Sequence, residues 1–246
     1  IRDRITPTLV GAQFNNLSNN INIESSPRFP EPRETVVLTL NAYSIDTNGS
    51  SITWLVDGVE LTDKNNERSI TVIAGEIGVI KNISAIISKA GTVNTITHRL
   101  KPTRIDTYIE ADSLVPTFYK GRALPSIGSN IRVTALPFTG ETIAPNEYAY
   151  LWRLNNKVLY GGSVLGKQTA EFKAPKARES ILSVDVISQN GDTLASESII
   201  IPYSEPELLF YTDNPLRGLS MTAINQEHFL IEEEIDVRAE PYYMDK

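Results

Sequence analysis

Ile52-Thr-Trp54-Leu-Val-Asp57-Gly58-Val-Glu-Leu61 and Tyr150-Leu-Trp152-Arg-Leu-Asn155-Asn156-Lys-Val-Leu159 are two versions of one phrase. They hold the only two tryptophans of the chain. Each is a short alternating run, a tight turn and a second short run, which reads as strand, turn, strand. Asp57-Gly58 suits a hairpin turn whose two central residues both need positive φ. A phrase of this kind repeated at long period marks a modular array rather than one catalytic domain.

The match extends in both directions. Leu38-Thr-Leu40-Asn-Ala-Tyr43 aligns with Val133-Thr-Ala135-Leu-Pro-Phe138, and Ile87-Ser-Lys-Ala-Gly91 with Ile187-Ser-Gln-Asn-Gly191. The spacing between matched positions grows along the chain, so the second copy has gained a few residues in two loops. Loops tolerate such insertions while the strands keep their order. A third, partial copy follows. Ile235-Asp-Val237-Arg-Ala239-Glu-Pro241-Tyr242 repeats the pattern of Ile131-Arg-Val133-Thr-Ala135-Leu-Pro137-Phe138, and Phe210-Tyr211 echoes Phe118-Tyr119. The third copy lacks its tryptophan strand.

Strands are expected near 35–43, 51–56, 69–74, 79–88 and 93–100 in copy one. In copy two they are expected near 131–137, 147–154, 168–173, 180–188 and 193–201. A short strand is expected around Ile21 and Ile23, before the stiff entry made by Pro27, Pro30 and Pro32. Ala90-Gly91 and Asn190-Gly191 are further hairpin turns. Leu100–Arg104 and Ile201–Pro206 read as linkers. This divides the chain into a polar N-terminal segment (1–26), a first domain (27–102), a second (103–203) and a partial third repeat (204–246).

The chain of 246 residues is long enough for two cores. A net charge of −7 leaves no basic stripe for nucleic acid. No apolar run approaches the roughly 18 residues of a membrane span. With no cysteine there is no disulfide, thiolate nucleophile or thiolate metal site.

The phrases Trp54-Leu-Val-Asp-Gly58 and Trp152-Arg-Leu-Asn-Asn156 resemble the strand tryptophan and following turn of bacterial Ig-like domains, including the polycystic-kidney-disease-like class. The Gly-Asp-Gly signature of the strict class is absent. Glu110-Ala-Asp-Ser113, Phe118-Tyr-Lys-Gly121 and Ala239-Glu-Pro-Tyr242 resemble phrases in uncharacterised surface proteins of ultra-small, reduced-genome bacteria. The resemblance implies an all-β chain of tandem Ig-like antiparallel β-sandwiches with a partial third repeat, exported to the bacterial surface.

Candidate chemistry is sparse. His98 and His228 are the only histidines, no Gly-x-Ser-x-Gly is present, and two isolated histidines make a poor zinc site. Asp46–Gly49, Asp63–Glu67 and the group Asp106, Glu110 and Asp112 offer oxygen ligands for calcium, but none has EF-hand spacing, and acidic turns are ordinary at the ends of sandwiches. Asn16, Asn48 and Asn82 begin sequons, which are glycan acceptors in a suitably exported chain and which asparagine-rich sequence also produces by chance. Trp54 and Trp152 read as core anchors. Phe118-Tyr119, Tyr148, Tyr150 and Tyr160 are the aromatics that a carbohydrate platform would use, with buried packing as the ordinary alternative.

These readings point to a non-enzymatic extracellular or cell-surface structural and interaction module, without catalytic residue, cofactor or metal. Its partner would be protein, through self-association or another chain, with Phe229, Ile231, Ile235, Val237, Tyr242 and Tyr243 as the contact residues of a strand-adding third repeat. A glycan-binding module and an accessory region of a larger surface enzyme are the alternatives.

Overall fold

The structure, a computed structural model, describes residues 21–42, 49–177, 179–224 and 235–246. The chain divides into two compact units, Ile1–Pro102 and Thr103–Lys246.

In the first unit, β1 (Ile21–Ser26), β2 (Thr35–Ala42) and β5 (Ser69–Ile73) form an antiparallel sheet in the order β1-β2-β5. β3 (Ser51–Val56), β4 (Val59–Glu60), β6 (Lys81–Lys89) and β7 (Thr92–Leu100) form a second sheet, β4-β3-β6-β7. The alternation of β1 is strict: Ile21, Ile23 and Ser25 are buried while Asn22, Glu24 and Ser26 are exposed. That period of two is what a strand with one wet face requires. Ile21 and Ile23 join the core of this unit, so part of the segment set apart as 1–26 belongs to the first sandwich. Trp54 lies at the centre of that core, fully buried beside Val36, Leu38, Ile70, Ile83 and Ala85.

The second unit repeats this order. β8 (Arg104–Ala111), β9 (Asn130–Phe138) and β13 (Thr169–Lys173) form the sheet β13-β9-β8. β10 (Ala149–Leu154), β11 (Lys157–Val158), β14 (Glu179–Ile187) and β15 (Thr193–Pro202) form β11-β10-β14-β15, with β12 (Val164–Leu165) also on β10. Trp152 occupies the place of Trp54, buried among Ile131, Val133, Leu182 and Val184.

The equivalence reaches single hydrogen bonds. The Trp54 indole N–H donates to the Glu67 carbonyl at 2.8 Å, and that of Trp152 to the Lys167 carbonyl at 2.8 Å. The turns match as well. Asp57 and Gly58 have φ of 50° and 82°, Asn155 and Asn156 of 49° and 65°. The Asp57 carboxylate accepts from the Asn82 amide at 2.8 Å, and the Asn155 side-chain carbonyl from the Ile181 amide at 2.9 Å. Short Asp and Asn side chains tolerate the left-handed region and hydrogen-bond locally, which explains their choice here. Asn190-Gly191 differs: only Gly191 is left-handed, and the register shifts between Val186 and Ile187. The result is a longer loop closed by Gly191 N–H on the Ser188 carbonyl.

After β15, the chain forms β16 (Glu207–Asn214), β17 (Gly218–Leu219) and β18 (Val237–Tyr242) in the order β17-β16-β18. β16 and β18 pair in the register of β8 and β9. Leu208 faces Pro241 as Ile105 faces Pro137, and Phe210 faces Ala239 as Thr107 faces Ala135. In the first unit, Ile21 faces Ala42 and Ile23 faces Leu40 at the same places. The structure thus sets Tyr211 level with Tyr108, not with Tyr119, which corrects the echo between Phe210-Tyr211 and Phe118-Tyr119. That echo joins a strand residue to a loop residue.

Candidate functional site

The β16–β18 hairpin has two unlike faces. Side chains alternate across a strand, so the partners Leu209–Glu240 and Tyr211–Arg238 share one face, with Tyr242, while Leu208–Pro241, Phe210–Ala239 and Thr212–Val237 share the other.

The first face is covered by the loop between β8 and β9, residues 112–129. The Phe118 ring meets Tyr211 edge-on at 5.2 Å, and Tyr119 meets Tyr242 at 5.4 Å and Tyr243 at 6.3 Å. Edge-to-face pairs of this kind contribute about 0.5–1.5 kcal/mol beyond the area they bury. The hydroxyls of Tyr211 and Tyr242 are 2.7 Å apart, and those of Tyr119 and Tyr243 are 2.9 Å apart. The Tyr243 N–H donates to the Leu114 carbonyl at 2.7 Å, and the Leu114 N–H to the Met244 carbonyl at 2.8 Å. Tyr243 itself is left-handed, with φ of 55°. That backbone is costly for a bulky residue, and it sits where these contacts hold it.

The loop is shaped for this role. The Ser113 hydroxyl donates to the Leu124 carbonyl at 2.7 Å, and Ser129 to the Ser126 carbonyl at 2.8 Å. The Tyr119 ring folds so closely over Gly121 that a Cβ there would collide with it. Glu240 is buried beneath the hairpin, with the Arg238 Nε 2.6 Å from its carboxylate. Burial, the Tyr211 hydroxyl and the nearby Glu240 charge push the Tyr242 phenol far up. The Tyr119 hydroxyl, then burial, pushes Tyr243 up to about 12.

On the second face, the apolar side chains are exposed and none of the described residues packs over them as the loop packs over the first. Leu208, Phe210 and Val237 are 48%, 46% and 48% exposed, and none belongs to either core. Their equivalents Ile105 and Val133 are 6% and 0% exposed, and Ile21 and Leu38 are 8% and 0%. β2 lies between β1 and β5, and β9 between β8 and β13. β18 has β16 alone among the described strands. Its other edge offers backbone groups for pairing.

Of the contact residues expected from sequence, Val237 is on the second face and Ile235 is half-buried just before it. Tyr242 and Tyr243 lie on the covered side, which places them in an internal contact rather than on offer to a partner. Phe229 and Ile231 lie outside the described residues, as do His228, Asp46, Asn16 and Asn48.

The remaining candidates are occupied by ordinary work. Tyr148 and Tyr150 are core residues, not a glycan platform, and their hydroxyls bond Thr139 and the Pro145 carbonyl. Tyr160 is exposed, with the Lys167 ammonium 4.7 Å above its ring. Asp63 and Glu67 flank Lys64, and Asp106 pairs with Arg104. Asp112 accepts from the Asn130 backbone and side-chain amides, and the side-chain bond holds its carboxyl below the usual range. A shallow cavity of about 520 Å³ runs over Glu110, Arg132, Glu171 and Phe172, but Arg132 and Glu171 already pair there at 2.9 Å. Among the described residues, no group of three His, Asp or Glu could hold a metal ion.

The sequence reading missed the contact between the loop and the hairpin. The available signal was the aromatic pairs 118–119 and 242–243, which have no counterpart in copy one.

No protein-family model and no curated protein matches the chain. Its structural neighbours are tandem fibronectin-III and Ig-like domains. The fibronectin(III)-like modules of Clostridium thermocellum CbhA are 12% identical, with 75% of this chain and 94% of that one covered and a TM-score of 0.29. The three N-terminal domains of the bacteriophage RB49 highly immunogenic outer capsid protein are 16% identical, with 85% and 80% covered and a TM-score of 0.30. SGBP-B of the Bacteroides ovatus mixed-linkage glucan utilization locus, in complex with a mixed-linkage heptasaccharide, is 8% identical, with 86% and 74% covered and a TM-score of 0.20. The chain is all-β, built of several antiparallel sheets, with the same strand order recurring in its two units. No helix among the described residues is long and apolar enough to cross a membrane.

Proposed function

We propose that this chain is a non-enzymatic structural and interaction module of an exported bacterial surface protein, and that its C-terminal partial repeat assembles by strand addition. The observation that carries this is the two-faced hairpin. Its outer face is held by the 112–129 loop, while among the described residues its apolar face is exposed and β18 pairs with β16 alone. An edge fixed in place but unpaired is a template for another strand, with main-chain hydrogen bonds supplying affinity and alternate side chains supplying specificity. The partner is therefore protein.

A glycan platform is the weaker reading. Tyr148 and Tyr150 are in the core, and Phe118 and Tyr119 are engaged by the hairpin.

Hydrogen exchange on the chain alone tests the proposal. The β18 amides facing away from β16 should exchange quickly, while the Tyr243 and Leu114 amides, which bond across to one another's segments, should be protected. Slow exchange along both edges of β18 in the isolated chain would mean that the edge is not on offer.

A further inference from the structure

We infer that Tyr160 closes the outer edge of β13 to strand addition. The second sandwich then cannot be extended from that side by another extended polypeptide, a second copy of this chain included. This goes beyond the proposed function and stands whether or not β18 accepts a strand. The bonding along the edge carries it.

Among the described strands, β13 pairs with β9 alone. The Ala135 N–H donates to the Gln168 carbonyl, and the Ala174 N–H to the Ser129 carbonyl. Such bonds fall on alternate residues of an antiparallel pair, so Gln168, Ala170, Phe172 and Ala174 turn their backbone groups to β9. Thr169, Glu171 and Lys173 turn theirs outward. Glu171 is the middle of these three. Its N–H donates to the Tyr160 hydroxyl at 2.6 Å, and the same hydroxyl donates to the Glu171 carbonyl at 3.0 Å. A phenol can donate and accept at once. One side chain thus makes both main-chain bonds that a residue of an incoming strand would make, and its hydroxyl occupies the place which that strand would need. The Lys167 ammonium lies 4.7 Å from the centre of the Tyr160 ring, which adds a charge beside the edge. Lysine at an edge works against pairing with another chain.

The fold does not itself require this contact. Tyr160 is 43% exposed and belongs to neither core, so core packing does not account for its place. Leu61 and Leu159 hold equivalent positions, each donating its N–H to the carbonyl of its own tryptophan at 2.8 Å. Glu67 and Lys167 are equivalent too, each accepting the indole N–H. Between these points the second copy is two residues longer. Where copy one makes a 3-10 turn at Thr62–Lys64, copy two has Tyr160-Gly161-Gly162. Tyr160 and Gly161 are both left-handed, with φ of 57° and 74°. That conformation is uncommon for a bulky residue, and here it accompanies a ring laid back on β13. Copy one treats the matching strand differently. There the Lys81 ammonium donates to the Ile73 carbonyl at 2.7 Å, at the end of β5.

The test compares the full chain with Tyr160→Phe, which keeps the ring and loses both bonds, and with Tyr160→Gly, which suits the left-handed backbone and opens the edge. The probe is a fluorescent peptide of residues 129–136, the sequence that already pairs with β13 inside the sandwich. Exchange of the Glu171 amide should be at least tenfold faster in both variants. The Thr71 amide, at the equivalent place on β5, is the unchanged reference. The peptide should bind Tyr160→Gly at least tenfold more tightly than the native chain, and bound peptide should slow Glu171 exchange again. Unchanged Glu171 exchange in Tyr160→Phe overturns the inference. Equal peptide binding by native and Tyr160→Gly chains overturns it as well. If that common binding protects β18, strand addition at β18 stands while the role of Tyr160 falls. Should Tyr160→Gly lose the Trp152 near-ultraviolet signal of the folded unit, Tyr160→Phe decides by the same two measurements.

Discussion

The Tyr119 and Tyr243 hydroxyls lie 2.9 Å apart, joining residues 124 positions distant in the chain. This bond fastens the last strand of the chain to a loop of the second sandwich. It is also the leading cause of the raised Tyr243 pKa. A phenol that shares a proton with a neighbour, in a partly dry site, resists becoming an anion.

Tyr119→Phe should keep the ring contacts and lose the hydroxyl bond. The expected cost to hairpin docking is about 0.5–1.5 kcal/mol. Tyr119→Ala should cost more, because the edge-on contacts with Tyr242 and Tyr243 go too. Hydrogen exchange at the Tyr243 and Leu114 amides reads the loss, with the Trp152 core as an unchanged reference.

Gly121→Ala should loosen the hairpin by acting through Tyr119. The new methyl would occupy space held by the Tyr119 ring. The ring must swing away, so protection at Tyr243 should fall as it does in Tyr119→Ala. A Gly121→Ala chain with full protection at Tyr243 would show that the ring can yield without releasing its partner.

Alkaline pH should loosen the hairpin. Tyr243 is raised to about 12 in the folded chain, against about 10 for a free phenol. Below pH 10 it is neutral in both folded and released states, and its contribution is intact. Between about pH 10 and 12 the released state ionises first, so docking weakens as pH rises. Tyrosinate absorbance should show a late-titrating fraction, and Tyr119→Phe should move part of it toward the ordinary value.

Acid should act on the first unit through His98. Burial lowers the pKa of this imidazole, outweighing a backbone contact with Ile23 that acts the other way. Its share of stability is present above about 6.5 and is lost as pH falls through the lowered value. A His98→Gln chain should show a flatter dependence of first-unit melting between pH 7 and 5.

Trp54→Ala and Trp152→Ala should each cost about 3–5 kcal/mol, each in its own unit. Calorimetry should show one transition moving while the other stays. Trp→Phe at either site should cost less. It retains a buried ring but leaves the Glu67 or Lys167 carbonyl without its indole donor.

Strands, turns and the two anchors were legible in the sequence because their causes are local. Alternation at Ile21 and Ile23 needs only a wet side and a dry side. Asp57-Gly58 and Asn155-Asn156 reveal themselves because few residues accept left-handed φ. The recurrence of Ile, Val, Ala and Pro at 235–241 shows a third hairpin by the same logic. Tertiary structure alone decided what covers each face. Alternation says that Tyr211 and Phe210 point in opposite directions, but not which of them meets protein. Phe118-Tyr119 could be read as a repeat echo or as a sugar platform, and Tyr148 and Tyr150 as exposed rings. Their real neighbours are set by how an 18-residue loop folds back over Gly121 and by contacts across more than a hundred residues. Local periodicity carries no record of such contacts, because it fixes a side chain's direction and not the body that it meets.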